Sequence, residues 1–206
     1  MSKKSNETSY ISARESRRIS RENQKITRRL DKRLARKHVP ESEYLTQMRD
    51  PGNVVEFDNL HTYFFTDVGT VKAVDGVSFD VPAGKTVGIV GESGCGKSVT
   101  SLSLMQLVQR PNGQIVDGAI RLNLGDKAFD VAKMPIDAMR QVRGNVVSMI
   151  FQEPMTSLNP VFRIGFQLDE VIALHNPQMS KEAVKARAIE AINMVGIPDA
   201  EGIYNR

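Results

Sequence analysis

Cysteine is nearly absent: Cys95 stands alone among 206 residues. A lone thiol excludes an internal disulfide and fits a reducing compartment. Long hydrophobic runs are missing too. No apolar stretch approaches the roughly 20 residues that a bilayer-spanning helix requires. The N-terminus, MSKKSNETSYISARESRR, is charged and has no apolar segment of the kind a secretory signal carries. Histidine is scarce, and His38, His61 and His175 have no metal-ligand spacing. No Ser/His/Asp set can be assembled, and the methionines read as packing. What remains, 40% hydrophobic and 25% charged residues, suits a soluble globular chain with one sizeable core and an appendage. These features predict a cytosolic protein.

Acidic charge is short in one place only. Residues 1–50 hold 14 Lys and Arg against 7 Asp and Glu, whereas the rest holds 14 against 17. The overall net charge of +4 therefore belongs to a basic tail, and a nucleic-acid-binding core is not implied. Ile19, Ile26, Leu30 and Leu34 recur at helical spacing in the tail, but the stripe is too narrow for a self-supporting core. Residues 1–50 are read as a basic, partly helical or disordered extension, solvated along its length. A basic helix resting on anionic lipid headgroups is the alternative. Contact with nucleic acid lacks interleaved aromatic residues.

HVPESEYLTQMRDPGN reads as a linker into the folded part, residues 51–206. Two β-type runs follow at 54–65 and 71–81. TVGIV (86–90) is short and apolar enough for a buried strand. A helix is predicted over 97–108, a strand over 119–124, a short helix over 135–143 and a second buried strand, NVVSMIF, over 145–151. The remainder reads as helices over 163–174 and 180–196, with Ser180 as N-cap and Gly196 as the stop.

Between the apolar run and the first helix of the folded part lies GESGCGKS. Gly91, Glu92, Ser93, Gly94, Cys95, Gly96, Lys97 and Ser98 satisfy G-x-x-x-x-G-K-[ST] without a gap, and Val99 continues into the helix. Glycines let the backbone turn its N–H groups inward where side chains would collide with a ligand. Those donors and the positive helix end form a cradle for phosphate oxygens. Lys97 would reach the β- and γ-phosphates, and Ser98 would offer its hydroxyl to Mg²⁺. The expected cofactors are ATP and Mg²⁺. Cys95 fills a small-residue position with no catalytic task.

VVSMIFQEPMTSLNPVFRIGFQL narrows the class. A strand ending in Gln152, followed by Glu153 and Pro154, resembles the glutamine loop of ABC transporter ATP-binding subunits. FQEPMTSLNP resembles the oligopeptide and dipeptide importer branch, as does the stretch from VVEFDNL to SLSLMQL nearly end to end; the resemblance implies coupling of ATP to peptide import, with import of nickel or another small solute by a similar subunit as the alternative. The resemblance covers about residues 53–206 and implies an α/β P-loop NTPase fold. That fold has an N-terminal antiparallel β subdomain and, in this chain, the start of the helical subdomain and an incomplete core. It further implies that Gln152 senses Mg²⁺ and the attacking water. The loop 153–166 would face transmembrane permease subunits. A second ATP-binding subunit, identical or related, would complete the site, and a solute-binding protein would act indirectly. The implied location is the cytoplasmic face of the membrane. An aromatic residue before the first hairpin turn often stacks on adenine in this family; Tyr63, Phe64 and Phe65 are candidates, with Phe65 carried forward.

Three parts of the family's pattern are not found: an LSGGQ-type signature, a Walker B strand with its carboxylates, and a switch histidine. NVVSMIF ends in Gln152 rather than Asp-Glu, and AIRLNLGD is too polar. The expectation is a truncated or partial chain that binds nucleotide, does not hydrolyse it alone, and is marginally stable. No Asn-Lys-x-Asp guanine reader and no lid-type arginine cluster follow residue 100, which disfavours a GTPase or a small-molecule kinase.

Overall fold

The computed structural model describes residues 11–152 and 157–206. Its contacts divide the chain into two units, Met1–Val147 and Ser148–Arg206. The first unit is built on a five-stranded sheet of order β1-β5-β4-β2-β3, antiparallel throughout. Its strands are β1 (Leu45–Thr46), β2 (Asn53–Phe65), β3 (Thr70–Pro82), β4 (Gly113–Asn123) and β5 (Ala128–Asp130). The predicted runs at 54–65 and 71–81 lie inside β2 and β3, and the run at 119–124 falls in β4 except for Leu124, one residue past its end.

The long strand β2 changes faces partway. Val55 and Phe57 point into the core, and the Phe57 ring stacks on Phe79 at 4.3 Å between centroids. Asn59 then takes a positive φ of 48°, and the register with both neighbours shifts around it. An extra residue in one strand inverts the alternation beyond it. After the bulge Leu60 and Thr62 are the fully buried residues, even-numbered where Val55 and Phe57 were odd. Gly118 of β4 lies opposite; a Cβ there would sit 2.2 Å from the Asn59 carbonyl oxygen, so only glycine fits.

Two short helices cover the core face: α2 (Lys97–Leu104) and α3 (Ile136–Val142). Met134, Met139, Val131 and Val142 fill the space beneath them. The opposite face carries a longer helix, α1 (Ala13–Leu34), capped by Ser12, whose Oγ accepts from Glu15 N. Thr27 and Leu34 of α1 are buried. Asn23 donates to the Thr66 carbonyl at 2.7 Å, and Gln114 of β4 donates to Asp31 at 2.8 Å. Helix content in the tail was expected; its docking was not. A stripe too narrow for a core of its own suffices when a sheet face is there to receive it.

The predicted linker is likewise part of this unit. β1 pairs with β5, and Tyr44 packs on Phe129 at 5.2 Å. Backbone N–H groups of Arg49 and Asp50 donate to the Glu56 carboxylate.

Two predicted strands do not form. Among the described residues TVGIV pairs with nothing, and Val90 is 92% exposed. NVVSMIF has only an isolated bridge between Arg143 and Val147, and Ile150 is 94% exposed. A strand apolar on both faces is stable only between flanking parallel partners that are themselves covered. The described residues supply none, so the two expected buried strands do not form among them and the antiparallel sheet stands.

The second unit is helical: α4 (Ile164–His175), α5 (Lys181–Met194) and α6 (Ala200–Tyr204). Ser180 caps α5 by accepting from Ala183 N at 3.2 Å, and Gly196 ends it with φ 75°. Val184, Ala188 and Ile192 form its buried face. Tyr204 closes the unit, donating its hydroxyl to Asp169 over Gly165, where a Cβ would meet the Tyr204 backbone at 2.6 Å. Among the described residues no helix is long and apolar enough to cross a membrane.

Candidate functional site

The loop from Gly91 to Gly96 leads into α2 and is open to solvent except at its last residue. Gly96 caps the helix with φ 100° and no side-chain hydrogen bond, so the first N–H groups of α2 keep their capacity to donate. Gly94 also takes a positive φ, 81°. Lys97 folds back over the loop. Its ammonium donates to the carbonyl oxygens of Gly91 at 2.7 Å and Glu92 at 2.8 Å, which closes the turn from within. Cys95 lies on the same side, 3.7 Å from Lys97 Nζ, and its N–H donates to Glu92 O. Ser98 is exposed at the second position of the helix. The structure therefore brings Gly91 through Val99 together as one cradle with a cation across its mouth. The expected strand before the loop is missing, so the loop is held from β3 and from α2.

The α2 end of that support is specific. Ser103 donates to the Val99 carbonyl at 2.7 Å and so accepts from Thr62 of β2 at 2.9 Å. At the helix C-terminus Arg143 donates from Nε to Met105 O at 2.8 Å and from Nη2 to Gln106 O at 2.9 Å, satisfying carbonyls that a helix end leaves open. The Gln106 amide in turn donates to the carbonyls of Val131 and Met134. Burial, together with neighbouring Arg110 and Arg140, lowers the Arg143 pKa. These supporting residues had no signal in the sequence, because each is one polar residue among many until the fold places it. Replacing Arg143 with alanine should cost about 2–3 kcal/mol, from loss of charge-assisted bonds to two buried carbonyls. Thermal unfolding beside Arg143→Lys, which restores one bond, measures it.

The aromatic candidates separate. Tyr63 donates its hydroxyl to Asp75 at 2.6 Å, and Lys72 sits 5.3 Å over its ring. That hydroxyl foremost, then His61 and Lys72, holds the Asp75 carboxyl down to about 2. Phe65 is 7% exposed and lines a cavity with Asn23, Thr27 and Arg28 of α1. The structure does not bring it to the Gly91–Ser98 loop. The bulge at Asn59 is the reason, since it places Phe65 on the α1 face. Phe64 shares the face of Thr62, which contacts α2, and its ring lies against Gly113.

Gln152 is exposed in the second unit. Glu153 to Thr156, the start of the predicted contact loop, lie outside the described residues. The rest of that loop is held by Gln167, which accepts from Asn159 N at 2.8 Å and donates to the carbonyls of Asn159 and Phe162. Val161 is 83% exposed, and Phe162 and Phe166 are exposed with ring centroids 5.8 Å apart.

Comparison with known proteins places the sequence among relatives. The ABC transporter family profile matches residues 74–205. Oligopeptide transport ATP-binding protein AppD of Bacillus subtilis is 51% identical over 150 residues, 73% of this chain and 44% of its own length. Dipeptide transport ATP-binding protein DppD of the same organism is 47% identical, covering 71% of this chain and 42% of that one. DppD of Lactococcus lactis is 48% identical, at 72% and 41%. The chain thus spans less than half the length of these curated relatives.

Proposed function

The chain belongs to the ABC transporter family, and on that premise we propose that it is the nucleotide-phosphate-holding part of an ATP-binding subunit serving peptide import. The observation that carries this reading is the Gly91–Ser98 cradle, closed by Lys97 and opening onto the N-terminus of α2, whose Gly96 cap offers its N–H groups no side-chain acceptor. The residues fit a polyphosphate: its oxygens would take the place of the Gly91 and Glu92 carbonyls as acceptors for Lys97. The α2 N–H groups would supply further donors without moving. Ser98 would hold Mg²⁺, which neutralises charge on the β- and γ-phosphates when bound. Phe64, rather than Phe65, is the aromatic residue for the adenine, because it shares a face with the side chain that meets α2.

Gln152 would serve as the neutral amide that responds to the metal and water. The exposed apolar surface around Val161, Phe162 and Phe166 would receive the permease subunits, with Gln167 holding the loop in shape. Peptide as the solute class rests on the relatives' names and on FQEPMTSLNP. Hydrolysis and pairing with a second ATP-binding subunit at the cytoplasmic face of the membrane are proposed for the whole subunit, and the cradle and Phe64 are proposed for binding.

The test is nucleotide titration of the full chain, with fluorescent ATP and Mg²⁺. Lys97→Ala should weaken binding about 10- to 100-fold, the worth of a charge-assisted contact to phosphate. Displacement should be more effective with ATP than with inorganic phosphate. Equal affinity of the wild-type chain and Lys97→Ala would remove the cradle as the site.

A further inference from the structure

We propose that the cleft between α1 and β4 is a docking site for anionic phospholipid. It encloses about 740 Å³. Its floor is aliphatic, made by Ile26 and Leu30 of α1 and Val116 of β4, and its rim is cationic, made by Arg29, Lys32 and Arg33. Arg36 also lines it but is committed to Glu43 through two bonds of 2.7 and 2.9 Å. No carboxylate lines the cleft, and the nearest acid on the helix, Asp31, is engaged by Gln114 on the sheet side.

The cationic rim continues along α1. Arg21 and Lys25 precede Arg29 and Lys32 at steps of three and four residues, all exposed, and form one ridge on the helix; toward the N-terminus Glu15, paired with Arg18 at 3.9 Å, and Glu22 share that surface, so the uncompensated charge is concentrated at the cleft. Docking fixes the ridge: the buried side of α1 is held by Asn23, Thr27 and Leu34, which leaves the arginines facing outward. Ile26 remains 44% exposed among them.

A cationic ridge flanking an aliphatic groove matches the interface of an anionic bilayer. Phosphodiester headgroups meet the guanidinium and ammonium groups, and the glycerol and upper acyl carbons meet Ile26, Leu30 and Val116. Nucleic acid offers the same charge but would want a stacking platform, and no aromatic ring lines this cleft. The proposal uses no residue of the Gly91–Ser98 cradle.

Flotation of the full chain with vesicles tests it. One set is phosphatidylcholine alone; the other contains about a third phosphatidylglycerol. The chain should float with the anionic set only, and less so as salt rises. Combined Arg29→Glu, Lys32→Glu and Arg33→Glu should lower the vesicle partition coefficient about 100-fold or more, since each cation near such a surface contributes roughly fivefold. The same variant should keep its nucleotide affinity, which separates this proposal from the functional reading above. Ile26→Ser, which leaves the charge intact, should cost about tenfold through loss of the aliphatic contact. Equal flotation with neutral vesicles, no flotation with anionic ones, or indifference to either variant overturns the proposal. So does retention on single-stranded RNA without flotation, which would assign the ridge to nucleic acid.

Discussion

Gly96→Ala should abolish nucleotide binding and destabilise the first unit by about 3 kcal/mol or more. Two costs combine. The residue holds φ 100°, where an L-residue is strained by about 1–3 kcal/mol. Its Cβ would also lie 2.3 Å from the carbonyl oxygen of Ala73, far inside contact distance. That oxygen belongs to the backbone of β3, which is pinned by pairing of Val74 with Thr62. It cannot yield as a flexible side chain would, so the loop must lift away from β3. The α2 N–H groups and Lys97 then lose their common aim. Nucleotide titration and thermal unfolding read the two effects together. Gly88→Ala is the control: nothing lies within 4 Å of a Cβ there, so stability should change by no more than about 0.5 kcal/mol.

Glu56→Ala should cost a further 3–5 kcal/mol, about 10 °C in Tm. The carboxylate is fully buried and accepts from Arg49 N at 2.9 Å, Asp50 N at 2.8 Å and Asn53 Nδ2 at 3.0 Å. Arg49 and Arg121 face it at 3.5 and 3.8 Å. Burial opposes its charge, but the backbone donors, Asn53 and Arg49 outweigh burial and bring the pKa below its ordinary 4.5. A depressed folded-state value means that the unfolded chain takes up the proton first as pH falls. The stabilisation is therefore whole above about 4.5 and drains away as pH drops through the lower folded value. Tm recorded against pH should show an acid limb in the wild type that Glu56→Gln flattens. An unchanged limb would locate acid sensitivity elsewhere.

The cradle was legible because its pattern is local: eight consecutive residues carry the glycines, the lysine and the hydroxyl, and they need only one helix behind them. The helices of the second unit were legible for the same reason, through Ser180, Gly196 and the helical spacing of Val184, Ala188, Ala191, Ile192 and Val195, of which Val184, Ala188 and Ile192 are buried and Val195 is exposed. What could not be read depends on distant partners. TVGIV and NVVSMIF have the composition of core strands, yet a strand needs neighbours, and composition does not say whether they are present. Phe65 is carried forward among Tyr63, Phe64 and Phe65 on the resemblance alone, and the bulge that turns its side chain away is not visible in the sequence. Strict alternation would put it with Phe57 on the core face, and the positive φ at Asn59 hands that face to Phe64 instead. Thr62, Ser103 and Arg143 act across the fold, so no window of sequence contains their relation.

The docking of α1 also decides how the chain can be trimmed. An expression boundary at residue 51 looks natural from charge alone, since the basic tail ends there. It would strip the cover from Phe65, release the Thr66 carbonyl from Asn23 and deprive the Gln114 amide of Asp31. It would also remove β1 and the two backbone N–H groups that donate to the buried Glu56 carboxylate. A shortened protein of that kind should lose stability through these contacts, whatever the tail itself binds. Point changes on the outer ridge of α1, not deletions, are the instrument that keeps the two questions apart.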